Sequence, residues 1–450
     1  MSYLIVNGGK KLHGVIANQT AKNSAVALLL ASPLIHGKVT LRNVPRIEEV
    51  FRIIELIKSI GIKVEDDGKG TVTLDSSAPL HLAAMDVKAA QKTRSSLMLL
   101  GSLAHREKKY KLFKSGGCKL GARTVRPHLF ALENFGVSIA SKEEYYEVVN
   151  KPLKGASIVM YESGDTATEN AIMAAVLAPG KTVIKMASAN YQVQDLCFFL
   201  NEAGAKIQGI GTTTLRIEGV SALHSVESYP IMPDPIVAMT YISAGIATGS
   251  TITIQNCPLE FLELELYKLK IMGQKFKLQN PRKSENGFFD VVDVVLTPST
   301  LKALPDKLEE RPFPGLNIDN LPLFIPILAK AKGRTLILDW VYEDRAIYSL
   351  ELKKLGVNVS LIDTHRVWVE GPTQFVPNEV VSPPAIRPAA NVLIAMLAAP
   401  GRSILRNTYI IDRGYENLYQ TLNSVGADIQ VVEDEPVERV VFRETVVASR

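Results

Sequence analysis

At 450 residues the chain is too long for one ordinary hydrophobic core, and its 46% apolar and 22% charged residues exclude a disordered or fibrous protein. A net charge of +5 without any run of Lys or Arg suits small anionic ligands and excludes a nucleic-acid arm. Cys118, Cys197 and Cys257 are odd in number and far apart, so they form neither a disulfide framework nor a zinc site, and seven histidines without HxxxH spacing point to no metal.

From the N-terminus, "MSYLIVNGGKKLHG" has no charged leader before an apolar core, and the apolar stretch from Ala25 to Ile35 is interrupted by Ser32 and Pro33. The expectation is a cytoplasmic protein without membrane insertion. One design then recurs six times: an amphipathic helix stops at glycine and an apolar-x-apolar strand follows. In chain order the copies are "IIELIKSIGIKVE", "LFALENFGVSIA", "CFFLNEAGAKIQ", "ELYKLKIMGQKFKL", "LELKKLGVNVSL" and "LYQTLNSVGADIQVV". Their glycines, Gly61, Gly136, Gly204, Gly273, Gly356 and Gly426, are separated by 75, 68, 69, 83 and 70 positions. Each can adopt the left-handed conformation that ends a helix and turns the chain into a strand.

Five copies carry a second glycine before a β-rich run, Gly37, Gly180, Gly249, Gly333 and Gly401, 23 to 25 positions ahead of the first. Each unit therefore mixes strand and helix, and the fold class is α/β. Between the third and fourth units, "SYPIMPDPIVAM" places Pro230, Pro233 and Pro235 where neither helix nor central strand continues easily. Three units on each side predict two similar domains with a hinge that closes over a ligand.

The stretch "SGGCKLGAR" sets Cys118 after Gly116 and Gly117 and before Lys119 and Arg123. Cations favour the thiolate and glycines admit a ligand, which reads as a reactive cysteine against the alternative of a small buried hydrophobe. Cys197 lies in an apolar helix pattern and reads as core; Cys257 receives no role. Lys22 in "TAKNSA", Arg94 in "KTRSS", Arg123, Arg387 in "PAIRPAAN" and Arg413 in "IDRGYE" fall where glycines, strand ends or helix starts leave backbone donors free. Such settings hold phosphate and carboxylate, although each residue taken alone better suits a solvated surface charge. There is no Walker A sequence.

The order "AKNSA", "TRSS", "GGCKLGAR", "ATEN", "FPGLNID" and "IIDRGYE" resembles the enolpyruvyl transferases that act on UDP-N-acetylglucosamine, over nearly the whole chain. The resemblance implies two inside-out α/β barrel domains of three repeated strand-helix units each, with the ligand cleft between them. It assigns residues 1–21 plus 233–450 to one domain and 22–232 to an inserted domain carrying the Cys118 loop. It further implies transfer of the enolpyruvyl group of phosphoenolpyruvate to the sugar 3'-hydroxyl through a tetrahedral ketal, with release of phosphate. Phosphoenolpyruvate and a UDP-sugar are the implied partners, with no cofactor.

By the same resemblance Cys118 is the general acid and adduct-forming thiol, open to alkylation by fosfomycin, and Asp319 in "FPGLNID" is the general base. Lys22 and Arg413 stabilise the shifting charge, Arg94, Arg123 and Arg387 hold phosphate and carboxylate, and Asn23 and Tyr342 contact substrate. Local sequence alone equally suits Asp319 as a helix N-cap before "NLPLFIPIL". Departures from the family pattern gather at the nucleotide side: Arg126, Asp165, Asn190, Gln192 and Pro235, with Ala385 where an aspartate near the reacting centre is common. They leave phosphoenolpyruvate handling intact and open an alternative, a non-catalytic or re-specialised paralogue that binds a different nucleotide sugar.

Overall fold

The computed structural model describes residues 2–115 and 124–433. All six terminating glycines have positive φ, from 82° at Gly356 to 102° at Gly426. Four of the five leading glycines do as well; Gly37 does not, and a Cβ there would lie 2.4 Å from Ser225 Oγ, so its small size serves a close approach.

Among the described residues the repeat appears as six sheets, five of four strands and one of three. The third unit shows the common order. Ser157–Val159 pairs parallel with Lys181–Lys185, which pairs antiparallel with Thr214–Glu218, which in turn pairs with Lys206–Gln208 at the far edge. The three-stranded sheet, Lys109–Phe113, Tyr145–Asn150 and Val137–Ser141, belongs to the one unit without a leading glycine. Strands such as Lys181–Lys185 alternate buried with exposed or half-buried positions, turning one face of the sheet inward and one to water.

Six helices matter most to the site: α1 (Lys22–Ala31), α2 (Glu48–Ser59), α3 (Asp165–Ala175), α4 (Tyr191–Glu202), α5 (Pro235–Ala247) and α6 (Ile386–Ala398). Every residue of α5 and all of Ser24–Ala31 in α1 are buried, as expected of helices that are apolar on all sides. In α2 the apolar positions lie on one stripe instead, with Val50, Ile53, Ile54 and Ile57 buried.

Two apolar cores divide the chain. The first gathers residues from Ala25 to Ile231. The second gathers Leu4, Val6, Leu12, Ile16, Ala21 and Tyr191 with residues from Met232 to Ile429. Ser2–Gly8 lies between Gly401–Arg406 and Ile429–Glu433, and His13–Ala17 pairs with Thr251–Pro258, so the N-terminal strands complete sheets of the second half. Val226–Pro230 pairs with Lys38–Arg42 and completes a sheet of the first half before the chain returns. The two crossings run side by side, with Ala21 N–H donating to Met232 O and Asp234 N–H to Gln19 O, both at 2.8 Å. The proline cluster fits this passage: Pro230 ends an edge strand and Pro235 is the first residue of α5, where a missing N–H costs nothing.

Candidate active site

Helix starts from both halves meet along the seam. Asp234 caps α5 by accepting from Ile236 N–H (2.7 Å) and Val237 N–H (3.2 Å), and also accepts from Lys22 N–H at the start of α1 (3.2 Å). Asn23 Nδ2 donates to the hydroxyl of Tyr191, the first residue of α4, at 2.9 Å. Asp165, the first residue of α3, accepts from Ser188 Oγ (2.5 Å) and from Nδ2 of Asn190, the cap of α4 (3.0 Å). The residues before α1, α3 and α6, namely Ala21, Gly164 and Ala385, provide no side-chain cap. At α1 the Lys22 N–H is taken by Asp234, whereas the first turns of α3 and α6 have no side-chain cap, the kind of helix start that attracts anions.

Cations surround these starts. Arg387, in the first turn of α6 and 5% exposed, has Nε 3.8 Å from Asp319 Oδ2 and its guanidinium carbon 4.8 Å from the Tyr415 ring centre. Burial opposes its charge, but Tyr415, Asp319 and Asp234 outweigh it and raise its pKa. Its Nη1 has no hydrogen-bond partner among the described residues. Arg345 Nη1 lies 3.8 Å from the other oxygen of Asp319, and Arg345 Nε lies 2.7 Å from Asp339. Tyr342 underlies the Arg345 guanidinium at 4.4 Å. Asp319 therefore stands between two arginines. It does not cap a helix: the 3-10 turn Pro322–Phe324 starts beyond it, and its own N–H donates to Asn317 Oδ1.

A second group joins both halves. Glu49 on α2 accepts from Thr93 Oγ1 (2.6 Å) and Arg413 Nη2 (3.2 Å), with Lys22 Nζ at 3.9 Å. Burial would raise the Glu49 pKa, but Lys22, Thr93 and Arg413 prevail and lower it. Arg94 Nη2 donates to Thr124 O at 2.9 Å. The structure thus brings Lys22 to Arg413, and Asp319 to Arg387 and, through Arg345, to Tyr342. Cys118 and Arg123 lie outside the described residues.

The departures also have places. Burial, with Asp319 as a like charge, raises the Asp165 pKa. Gln192 Nε2 donates to the fully buried Glu169 at 3.1 Å, and burial pushes the Glu169 pKa up to about 8. Arg126 is exposed at the start of helix Arg126–Glu133. Cys197 and Cys257 are buried, which pushes both thiols up. Sequence reasoning missed Glu49 and Arg345. "PRIEEVF" reads as an ordinary acidic first turn, and the Arg345 signal was its position three residues after Tyr342, the spacing of one 3-10 turn, at the head of the segment Arg345–Leu355.

Among the described residues no group of His, Cys, Asp and Glu is placed to hold a metal, and no helix is long and apolar enough to cross a membrane. The sequence profile of the EPSP synthase (3-phosphoshikimate 1-carboxyvinyltransferase) family matches residues 6–422. UDP-N-acetylglucosamine 1-carboxyvinyltransferase of Bacteroides fragilis is 33% identical over 437 residues, covering 95% of this chain and 99% of its own. UDP-N-acetylglucosamine 1-carboxyvinyltransferase 1 of Streptococcus agalactiae is 35% identical over 436 residues, covering 96% and 100%. Among solved structures, the enolpyruvyl transferase NikO from Streptomyces tendae superposes with a TM-score of 0.84 at 25% identity, covering 96% of this chain and 99% of that one. EPSP synthase of Acinetobacter baumannii, with a TM-score of 0.76 at 18% identity, covers 96% and 100% and shares the fold. By full-length similarity and by fold, the chain belongs to the enolpyruvyl (carboxyvinyl) transferase family, among the UDP-N-acetylglucosamine 1-carboxyvinyltransferases.

Proposed function

We infer that the protein transfers the enolpyruvyl group of phosphoenolpyruvate to the 3'-hydroxyl of UDP-N-acetylglucosamine and releases phosphate, a step of peptidoglycan precursor synthesis. The observation that carries this reading is the Asp319 carboxylate held between Arg345 and Arg387, beside helix starts that include Lys22 and Asn23. A base needs an orienting environment, and a phosphorylated carboxylate needs cations from several directions. The carboxylate and cations along this seam support the reading.

In this reading Asp319 removes the proton of the attacking hydroxyl as its oxygen bonds to C2 of phosphoenolpyruvate, while Cys118 delivers a proton to C3. Loss of a C3 proton from the resulting ketal then re-forms the double bond as the C2–O bond to phosphate breaks. Lys22 and Arg413, with Arg94, Arg123 and Arg387, take up the charge that moves through these steps. Asn23 and Tyr342 contact substrate. Among the described residues, those within 1–21 plus 233–450 would form one inside-out barrel domain and those within 22–232 the other, with the substrates between them in the cytoplasm. The test is phosphate release. It requires both substrates together, and release from phosphoenolpyruvate alone at the same rate refutes the reading.

A further inference from the structure

The longest interval between terminating glycines, 83 positions from Gly273 to Gly356, contains an antiparallel pair, Lys275–Lys283 with Asp290–Thr297, of nine and eight residues. Its tip is tightly built. Ser284 N–H donates to Phe289 O and Gly287 N–H to Ser284 O, each at 2.8 Å, Ser284 Oγ donates to Asn286 Oδ1 at 2.7 Å, and Gly287 has φ of 81°. This hairpin belongs to the second half, yet its tip lies on the first. Glu285 Oε1 is 2.8 Å from Arg42 Nη1, and Glu285 Oε2 accepts from Asn43 Nδ2 at 2.7 Å. Asn286 Nδ2 donates to Asp195 Oδ1 on α4 at 3.2 Å. The Phe288 ring stacks on Phe198 of α4 at 4.3 Å and 4°, and Phe289 meets the same ring edge-on at 5.6 Å.

Asp195, fully buried, also accepts from Tyr229 Oη (2.7 Å) and Met232 N–H (3.4 Å), two residues of the returning crossing. Hairpin tip, α4 and crossing segment thus share one joint. The exposed Glu285–Arg42 pair adds little, whereas a flat aromatic stack and a hydrogen bond to a buried carboxylate resist separation. The same helix begins at Tyr191, whose hydroxyl holds Asn23. We propose that the Ser284–Phe289 tip is a clasp between the halves that sets their resting angle at the crossing, and thereby the approach of Lys22 and Asn23 to Asp319 and Arg387. Its residues are positioning residues.

The experiment compares Phe288→Ala, Asn286→Ala and the surface variant Glu285→Ala with the wild type by small-angle X-ray scattering, with and without saturating UDP-N-acetylglucosamine. Phe288→Ala and Asn286→Ala are expected to have a larger unliganded radius of gyration, and the sugar nucleotide brings them to the wild-type liganded value. Because part of the population is then not competent to bind, KM for the sugar nucleotide rises about three- to tenfold while kcat stays within about twofold. The KM and liganded-scattering readouts rest on the proposed function and the unliganded scattering readout does not, so a wild type without turnover leaves the clasp testable. Native circular dichroism with unchanged scattering in these variants overturns the clasp, as does a fall in kcat at unchanged KM. If Phe288→Ala does not fold, Asn286→Ala decides alone.

Discussion

Arg413 Nη2 lies 3.2 Å from Glu49 Oε2, joining two residues 364 positions apart and the two halves of the molecule. With Lys22 Nζ at 3.9 Å, the carboxylate is the internal counter-ion of two cations assigned to the substrate. On the proposed function, a phosphorylated substrate entering this seam would compete with Glu49 for both.

Glu49→Gln is therefore expected to destabilise the unliganded protein, because Lys22 and Arg413 lose their charge partner. Arg413 is 30% exposed, which keeps the loss to about 1–3 kcal/mol, below that for a fully buried pair. The folded pKa of Glu49 is depressed, so its contribution is complete above the ordinary value of 4.5 and is lost as pH falls through the folded value below that. Thermal melts from about pH 2.5 to 8 should show the gap between wild type and variant constant above pH 4.5 and closing below it. Phosphoenolpyruvate should raise the variant's Tm more than the wild type's, and equal melting curves at pH 7 contradict the counter-ion role.

Asp319→Asn keeps the shape of the side chain but removes the carboxylate proposed to accept the proton. The expectation is a fall in kcat of about 10²- to 10⁴-fold, the usual worth of a positioned base, with KM changed far less. Steady-state phosphate release measures both. A variant with near wild-type kcat assigns the proton to another group.

Glu169 tests the pH dependence of the buried interior. Burial, then the neighbouring Asp165, raises its pKa to about 8, and the Gln192 hydrogen bond only partly opposes this. The folded state binds this proton and the unfolded chain does not between the ordinary value of 4.5 and about 8, so stability falls as pH rises across that window. The slope has a ceiling of about 1.4 kcal/mol per pH unit. Glu169→Gln carries no such proton and should flatten the curve. Denaturant titrations at pH 5.5, 7 and 8.5 decide, and parallel curves for the two proteins contradict a protonated Glu169.

Much of the fold was legible because one physical event recurs: Gly61, Gly136, Gly204, Gly273, Gly356 and Gly426 all adopt the positive φ that ends a helix. The pairing of strands across units was not legible. That Ser2–Gly8 lies beside Gly401–Arg406 depends on a chain reversal about 400 residues long, for which no local pattern codes. At the site, Lys22, Arg387 and Arg413 stood out because helix starts and nearby glycines frame them. Glu49 did not, since an acidic residue in the first turn of an amphipathic helix is ordinary until tertiary packing buries it. Arg345 was hidden in the same way: besides Asp339, six residues before it, its carboxylate partners Asp319 and Glu310 come from another segment.

Arg387 separates a requirement for charge from a requirement for shape. Its guanidinium is buried, lies over Tyr415 and faces Asp319 through Nε, with Nη1 unpartnered among the described residues. Lysine at this position keeps the charge, but it cannot meet Asp319 and a substrate carboxylate or phosphate through one planar fork, and its ammonium loses the flat stacking on Tyr415. Arg387→Lys should therefore raise KM for phosphoenolpyruvate by about tenfold or more, the loss of one charge-assisted hydrogen bond, while KM for UDP-N-acetylglucosamine changes little. Steady-state kinetics with each substrate varied at saturation of the other give both constants. If the sugar nucleotide's KM rises instead, Arg387 serves the acceptor, and phosphoenolpyruvate must be held by Lys22, Arg413 and the remaining cations.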